Sequence, residues 1–196
     1  MENKVIANNL WERFVDGDDK AYSQLYNLYI DDLFVYGMHF TANRESVKDC
    51  IQEVFVTLYK NRSRRKEIKN LKCYLFISLK NELFGLFKKS VEQYQIETIE
   101  PVFNAEYSIE DILIEAETNR YNQKRIKEVL QSLTPRQQEA IYYRYVEEMS
   151  YEDIGRLMQM NYQSVRNLIH RSIQKARDMA PKYIYTFLLL LQILEF

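Results

Sequence analysis

A row of polar and aromatic side chains runs along one face of a helix predicted over residues 71–89. At about 100° per residue, that face carries in order Tyr74, Ser78, Asn81, Gly85 and Lys88. The apolar residues of the same helix fall on the opposite side and are Leu75, Phe76, Leu79, Leu83, Leu86 and Phe87. A ring, an amide, a small residue and an amine in one row suit stacking on a base, hydrogen bonding, close backbone approach and phosphate pairing. The alternative is an ordinary solvated helix face.

A second polar face lies on the last of several helices predicted between residues 122 and 177. Two capping boxes, at 134–137 with Pro135 in first helical position and at 150–153, each predict a helix start. A tight break at 159–161 then separates a short helix from a longer basic one, which makes a helix-turn-helix. Its outer face could read base edges or bind phosphate through Gln163, Ser164, Arg166, Asn167, His170, Arg171 and Lys175. The alternative is a plain helical hairpin.

Apolar periodicity predicts the helices that position these faces. Asp18 and Asn43 each stand before such a period and are predicted to cap a helix. The first of the two helices has the seam Ala21, Leu25, Leu28, Tyr29, Leu33, Tyr36 and Phe40, and the second has the stripe Val47, Ile51, Val54, Phe55 and Leu58. In the region 122–177, the predicted inward positions are Ile141, Tyr145, Ile154, Leu157, Met158, Val165, Leu168, Ile169 and Ile173.

Composition favours an all-α fold of two small helical domains. The 196 residues include only 4 Gly and 3 Pro, which argues against a turn-rich β fold. Residues 1–89 hold 15 basic and 12 acidic side chains, residues 90–121 hold 1 and 8, and residues 122–182 hold 11 and 7. Two basic modules joined by an acidic linker are typical of a protein that meets a polyanion. The alternative is ordinary surface charge.

Catalytic and metal-binding arrangements are missing from the sequence. His39 and His170 are the two histidines, and His39 lies beside an apolar seam, where a core position is the simplest interpretation. Cys50 and Cys73 stand far apart, so neither a zinc site nor a disulfide framework is indicated, and a reduced, cytoplasmic setting fits. We therefore expect no enzyme activity, no cofactor, no metal and no small-molecule substrate.

These motifs together resemble the sigma-70 family of RNA polymerase sigma factors, in the compact extracytoplasmic-function (ECF) class. The segment DCIQEVF at 49–55 is similar to the family's core-binding helix, and Leu75-Phe76, Asn81 and Lys88-Lys89 are similar to its −10 element helix. Four further segments are similar to the family's −35 module, namely Leu133 to Gln137, Ser150 to Ile154, Ser164 to Arg166, and His170-Arg171. The resemblance covers roughly residues 10–89 and 122–177, with the three motifs in family order.

The sequence departs from the family pattern at five positions. Tyr74 stands where Trp is common, and Gly85 stands where Asp is common. Gly155 and Gln159 replace the usual Ala and Gly of the helix-turn-helix, and Ser172 replaces a common Ala. The substitution at 159 predicts a strained turn unless glutamine adopts the geometry that glycine usually provides.

The resemblance implies a role for each surface. Asp49, Gln52 and Glu53 would bind the core polymerase, where carboxylates pair with an Arg-rich surface. A predicted basic loop at 60–70, with Arg62, Arg64, Arg65 and Lys66, would hold the −10 DNA together with the Tyr74–Lys88 row. The outer face of the last helix would bind the −35 element. Core RNA polymerase, promoter DNA and an anti-sigma factor are the implied partners.

The resemblance also implies a domain organisation. A region 2-like domain would span residues 1–89, an acidic linker 90–121 and a region 4-like domain 122–180. The apolar tail at 181–196 is too short for a membrane helix, which needs about 20 residues. We expect it to complete a core, or else to mask a binding face or attach to a membrane.

Three other classes of protein remain as alternatives. A stand-alone helix-turn-helix regulator would leave residues 43–89 without a role. An enzyme would need a catalytic constellation that the sequence does not contain. A helical interaction protein, such as an anti-factor, would not need the basic face of the last helix.

Overall fold

The computed structural model describes residues 2–62, 68–94, 102–104 and 127–179, and the side chains of all of these except 2–4 and 90–94. Regular structure in these ranges is helical throughout, which confirms the all-α fold. The chain divides into two compact units, Met1–Pro101 and Val102–Phe196. We call them the N-terminal and C-terminal units. Within the described ranges, no helix is both long enough and apolar enough to cross a membrane.

Four helices build the N-terminal unit. They are α1 (Glu2–Val15), α2 (Asp19–Met38), α3 (Arg44–Lys60) and α4 (Leu71–Tyr94). Both predicted caps are confirmed, because the Asp18 carboxylate accepts from the Lys20 and Ala21 amides and the Asn43 side chain accepts from the Ser46 amide. α4 has a similar start, since the Cys73 amide donates to Asn70 Oδ1 at 3.1 Å.

The apolar stripes of α2 and α3 face the core of the N-terminal unit, as predicted. The α3 stripe is fully buried, and the α2 seam is buried except for Leu28, which is half-buried. His39 is also buried, as expected of a core histidine. α2 and α3 approach closely at Gly37, where an added Cβ would lie 2.5 Å from Val47 Cγ1. Gly37 therefore lets the two helices pack at this distance.

The sequence prediction is wrong for one residue of α4 that was expected in the core. Leu75, Phe76, Leu79 and Leu83 are buried, but Leu86 is 37% exposed and Phe87 is half-buried. Leu86 has the inward angular phase, yet burial on the described part of α4 ends at Leu83. Periodicity predicts the side of the helix on which a residue lies, but it does not predict how far along the helix other elements cover that side.

The C-terminal unit contains a helical stretch at 127–132, then α5 (Pro135–Ile141), a π-helical segment (Tyr142–Val146), α6 (Tyr151–Met158) and α7 (Tyr162–Met179). The capping box at Thr134 and Gln137 is confirmed in both directions. Ser150 accepts from the Asp153 amide and caps α6. Tyr145 was predicted inward but is half-buried. The wider π turn changes the angular phase after Ile141, and Tyr142 and Tyr143 are buried instead.

The turn between α6 and α7 completes a helix-turn-helix. Gln159 has φ 54° and ψ 47°, so a glutamine occupies the left-handed conformation that glycine usually provides. Gly155 fits the same turn tightly, because an added Cβ would lie 2.7 Å from the Met160 carbonyl oxygen. Asn161 Oδ1 accepts from the Ser164 amide at 2.8 Å and caps α7.

The inward faces of α6 and α7 agree largely with prediction. Ile154, Leu157 and Met158 are buried on α6. On α7, the four residues in the described core are Val165, Ile169, Ser172 and Ala176, while the predicted Leu168 and Ile173 are half-buried. Ser172 is tolerated inside because its hydroxyl donates to the Leu168 carbonyl at 2.8 Å.

Several predictions fall outside the described residues. They concern Arg64, Arg65 and Lys66 of the basic loop, nearly all of the acidic linker at 90–121, and the apolar tail at 181–196.

Candidate functional site

The outward face of α3 presents Asp49, Gln52 and Glu53 to solvent, opposite the buried stripe. Burial raises the pKa of the nearby Cys50 thiol, and the carboxylates of Glu82 and Asp49 act in the same direction. Glu82 is an exposed residue of α4, so the acidic surface near Asp49 draws on two helices. Sequence reasoning missed Glu82, because only the packing of α4 on α3 brings it close. We call Asp49, Gln52, Glu53 and Glu82 the acidic face.

The polar row of α4 is exposed along most of its length. Asn81, Gly85 and Lys88 are exposed, whereas Tyr74 and Ser78 are half-buried. Within the described part of the chain, no neighbouring atom lies within 4 Å of the position that a Cβ would take at Gly85. The Tyr74 side chain is thus partly accessible, and the distal end of the row is exposed.

Arg62, the described member of the predicted basic loop's DNA-binding set, already has partners within the N-terminal unit. Its Nη1 lies 3.4 Å from Asp19 Oδ1, and its guanidinium carbon lies 5.6 Å from the centroid of the Tyr59 ring. The ion pair is solvent-exposed and therefore weak. A phosphate could replace Asp19 at small cost, so these contacts are compatible with the predicted role.

The outer face of α7 carries its polar side chains towards solvent. The exposed members are Gln163, Arg166, Asn167, His170, Arg171 and Lys175, and Ser164 is half-buried. The Gln163 amide donates to Asn167 Oδ1 at 3.1 Å, which orients two amide groups one helical turn apart. The arrangement offers amides, a hydroxyl and guanidinium groups along one accessible stripe, as major-groove reading requires.

Lys175 differs from the rest of this stripe. Its ammonium group donates to the Ser132 carbonyl oxygen, at the end of the helical stretch 127–132. A cation stabilises the carbonyl end of a helix. Lys175 therefore ties α7 to the stretch that precedes α5, a contact across 43 positions that the sequence gives no sign of.

Two polar contacts link α5 to its neighbouring elements in the C-terminal unit. The Tyr143 hydroxyl donates to Glu139 Oε1 at 2.8 Å inside the C-terminal unit, and Arg136 donates to the Met158 carbonyl at 3.3 Å, at the end of α6. The latter bond satisfies a carbonyl that α6 leaves open at its end. Sequence reasoning did not find these contacts. Within the described residues, no group of His, Cys, Asp and Glu side chains could hold a metal ion.

Two family models match the chain over the regions that carry these surfaces. Sigma-70 region 2 matches residues 25–90, and Sigma-70 region 4 matches residues 123–175. The first contains α3 and most of α2 and α4, and the second contains α5, α6 and most of α7. The chain belongs to the sigma-70 family of RNA polymerase sigma factors. Within that family it is of the ECF class.

Similar proteins agree with this assignment. The chain is 23% identical over 175 residues to the ECF RNA polymerase sigma factor BldN of Streptomyces coelicolor, a match that covers 88% of this chain and 65% of BldN. This chain thus spans slightly less than two thirds of the length of that relative.

Two solved structures share the fold. The sigma factor RpoE in complex with the anti-sigma factor NepR from Bartonella quintana has a TM-score of 0.56 at 19% identity, covering 83% of this chain and 98% of that one. CnrH in complex with the cytosolic domain of CnrY has a TM-score of 0.54 at 15% identity, covering 92% and 98%.

Proposed function

We propose that this chain binds core RNA polymerase, directs it to −35 and −10 promoter elements, assists promoter opening and so starts transcription, without catalysing a reaction itself. One observation carries the proposal: region 2 and region 4 matches in one chain each coincide with an exposed polar face of the type that its role needs. A protein that lacked either role would have no use for one of the two faces.

The acidic face is proposed to bind the core enzyme. Asp49, Gln52 and Glu53 are exposed and free of the packing that holds α3 in place. Carboxylates bind a basic partner surface through charge-assisted hydrogen bonds, which are the stronger kind. Glu82 would extend the same contact from α4.

The row on α4 is proposed to act on the −10 element. Moving a base out of its stack costs a few kcal/mol, and stacking on an aromatic ring returns about 1–3 kcal/mol per base. Tyr74 supplies the ring, Asn81 and Ser78 supply hydrogen bonds, and Lys88 supplies charge for the backbone. Arg62, Arg64, Arg65 and Lys66 would add phosphate contacts, and the opened strand would lie along this row.

The stripe on α7 is proposed to bind the −35 element in the major groove. Arg166 and Asn167 would read base edges, while Arg171 would hold a phosphate. Gln163, Ser164 and His170 would complete the contact, and Lys175 would join it only if its bond to Ser132 opened. The proposed domains are 1–89 for core and −10 binding and 122–180 for −35 binding, joined by the acidic linker.

Partners and location follow from the same proposal. Core polymerase and promoter DNA place the protein in the cytoplasm, and no cofactor is needed. An anti-sigma factor is included among the partners, because RpoE and CnrH were each solved in a complex, with the anti-sigma factor NepR and with part of CnrY respectively.

Run-off transcription tests the proposal. Purified core polymerase is incubated with a pool of genomic fragments, with and without this chain. We expect discrete new transcripts that depend on the chain, and a mobility shift of the recovered promoters that requires core polymerase. A shift of equal strength without core polymerase would instead support the stand-alone regulator, and no new transcript would contradict the proposal.

A further inference from the structure

The first residue of α7 is an aromatic side chain that the proposed −35 contacts do not include. Tyr162 is 47% exposed, although tyrosine is a large residue with much apolar surface. Tyrosine also has only moderate helix propensity, so local helix formation does not explain it. By contrast Tyr143, which packs the core of the same unit, is completely buried. Core packing thus does not account for the exposed ring either.

The Tyr162 ring is held in place by a neighbour on α6. The centroids of the Tyr162 and Tyr151 rings are 5.6 Å apart with an interplanar angle of 69°, an edge-to-face contact. This contact spans the turn of the helix-turn-helix and joins the first residue of α6 to the first residue of α7. The ring is therefore oriented before any ligand arrives, which lowers the entropy cost of binding.

The supporting ring is itself fixed from the π-helical segment. The Arg144 guanidinium carbon lies 5.3 Å from the Tyr151 ring centroid, and Arg144 Nη1 donates to the Met149 carbonyl at 3.2 Å. A continuous series of contacts thus runs from the π segment through Tyr151 to the exposed Tyr162.

We propose that Tyr162 is a specificity-determining residue that packs its ring against the 5-methyl group of a thymine in the −35 element. The inference rests on the proposed function, because it requires α7 to lie in the major groove. Residues at the start of a recognition helix contact base edges there, and the thymine methyl is the apolar group on those edges. The amides and guanidinium groups of α7 read hydrogen-bonding edges, and Tyr162 adds an apolar contact.

Replacing thymine with uracil tests this contact, because the change removes only the methyl group. Holoenzyme made with the full chain is titrated on a recovered promoter in which each upstream thymidine in turn is replaced by deoxyuridine. We expect wild type to lose about fourfold in affinity at one position, the effect of one buried methyl group. Tyr162→Ala should bind the two duplexes equally, and Tyr162→Phe should keep the wild-type preference.

Controls separate this inference from the proposed function and from a structural role. Arg166→Ala should weaken promoter binding but keep the response to deoxyuridine. If the wild-type holoenzyme binds no promoter at all, it is the proposed function that fails. The Tyr162→Phe protein keeps the ring contact with Tyr151 and should have unchanged thermal stability. The inference is overturned if Tyr162→Ala discriminates as wild type does. It is also overturned if Tyr162→Ala and Tyr162→Phe weaken all duplexes equally, which would indicate a phosphate contact through the hydroxyl.

Discussion

The N-terminal unit includes a cluster of aromatic side chains where its first three helices meet. Phe14, Tyr22, Phe55 and Tyr59 contact one another at centroid distances of 5.1–6.1 Å across α1, α2 and α3. Its turn between α1 and α2 uses Gly17, with φ 107°, for the one left-handed position in the described part of this unit. The polar faces of α3 and α4 lie on long helices whose backbones carry no such strain.

The C-terminal unit positions its polar face differently. Non-glycine residues with positive φ, Glu148 and Gln159, stand on either side of α6, with φ 50° and 54°. A π-helical segment precedes the first of them, and buried polar contacts such as Tyr143 to Glu139 replace part of the apolar packing. A left-handed conformation costs a non-glycine residue about 1–2 kcal/mol, so the surrounding contacts must hold both turns.

The comparison separates two ways of orienting a binding surface. In the N-terminal unit regular helices display the polar side chains, and a core of aliphatic and aromatic residues holds those helices in place. In the C-terminal unit two strained turns set the direction of a short helix and the one that follows it. Substitutions in the first unit should therefore act through packing, and those in the second through backbone geometry.

The largest effect is expected from removing an aromatic ring from the N-terminal core. Phe55 is 1% exposed and lies 4.9 Å from the Tyr26 ring and 6.1 Å from the Tyr22 ring. Phe55→Ala should lower the free energy of unfolding of this unit by about 3–5 kcal/mol. Hydrogen exchange measured by mass spectrometry should show faster exchange in α2 and α3 and unchanged exchange in α6 and α7. Equal acceleration in both units would mean that they unfold together.

A smaller effect is expected where the C-terminal unit depends on backbone geometry. An alanine Cβ at Gly155 would lie 2.7 Å from the Met160 carbonyl oxygen, which belongs to the backbone and cannot turn aside. Gly155→Ala should therefore cost about 1–3 kcal/mol, as overpacking typically does. Binding to −35 duplex should fall with it, while core binding persists. An unchanged melting curve for α6 and α7 would show that the turn adapts freely.

Tyr74→Ala should reduce promoter opening, and its effect on the stability of the N-terminal unit should be smaller than that of Phe55→Ala. The half-buried ring is proposed to stack on a base, which is worth about 1–3 kcal/mol, so open complexes should become roughly tenfold rarer or more. Permanganate reactivity of unpaired thymines measures the opening, and a pull-down checks that core binding is retained. Ser78→Ala, on the same row without a ring, is the matched control. Normal opening by Tyr74→Ala would reduce the row to a solvated helix face.

Replacing Asp49, Gln52 and Glu53 together by Ala should weaken core binding at least tenfold, about 1.4 kcal/mol. Helix α3 should remain intact, because its buried stripe and Asn43 cap are untouched and Ala favours helix. A pull-down titration with core polymerase measures the affinity. Glu45→Ala, on α3 but paired with Lys48 at 2.7 Å, is the control. Unchanged affinity of the triple variant would remove the acidic face from the proposal.

The features that could be predicted from the sequence are those whose contacting residues lie close together in the chain. The caps at Asp18, Asn43 and Thr134 were predictable, because each depends on residues two or three positions away. The α3 stripe was predictable for the same reason. By contrast Arg62 meets Asp19 across 43 positions, and Lys175 meets Ser132 across the same separation. No local pattern signals such pairs.

The π-helical segment and the exposed Leu86 escaped prediction for related reasons. Both depend on what packs against a helix and not on the order of its own residues. The rows on α4 and α7 were recognised from residue types and spacing, whereas Asp49, Gln52 and Glu53 were assigned through the family resemblance. Most of these residues are exposed, which agrees with that interpretation. Their ligands stay a matter for the experiments above, since exposure makes a face accessible without naming what binds it.

The smallest effects are expected from removing a glycine in the N-terminal unit and from introducing one in the C-terminal unit. Gly85 lies inside α4 with open space around its Cβ position, so Gly85→Ala should stabilise the N-terminal unit by about 1 kcal/mol through helix propensity. Gln159 holds a left-handed conformation, so Gln159→Gly should relieve strain in the C-terminal unit. Part of that gain is offset by the greater freedom of glycine in the unfolded chain, which leaves about 0.5–1 kcal/mol.

Thermal unfolding followed by hydrogen exchange can assign each gain to its unit. Gly17→Ala serves as the control. It would force a Cβ into a backbone with φ 107° and should destabilise the N-terminal unit, although no described atom lies within 4 Å of that Cβ position. If Gln159→Gly leaves stability unchanged, the turn is not strained in solution, and the contrast between a regular and a strained unit fails. If Gly85→Ala also reduces promoter opening while raising stability, the open backbone at Gly85 serves the DNA, as close approach to a strand would require.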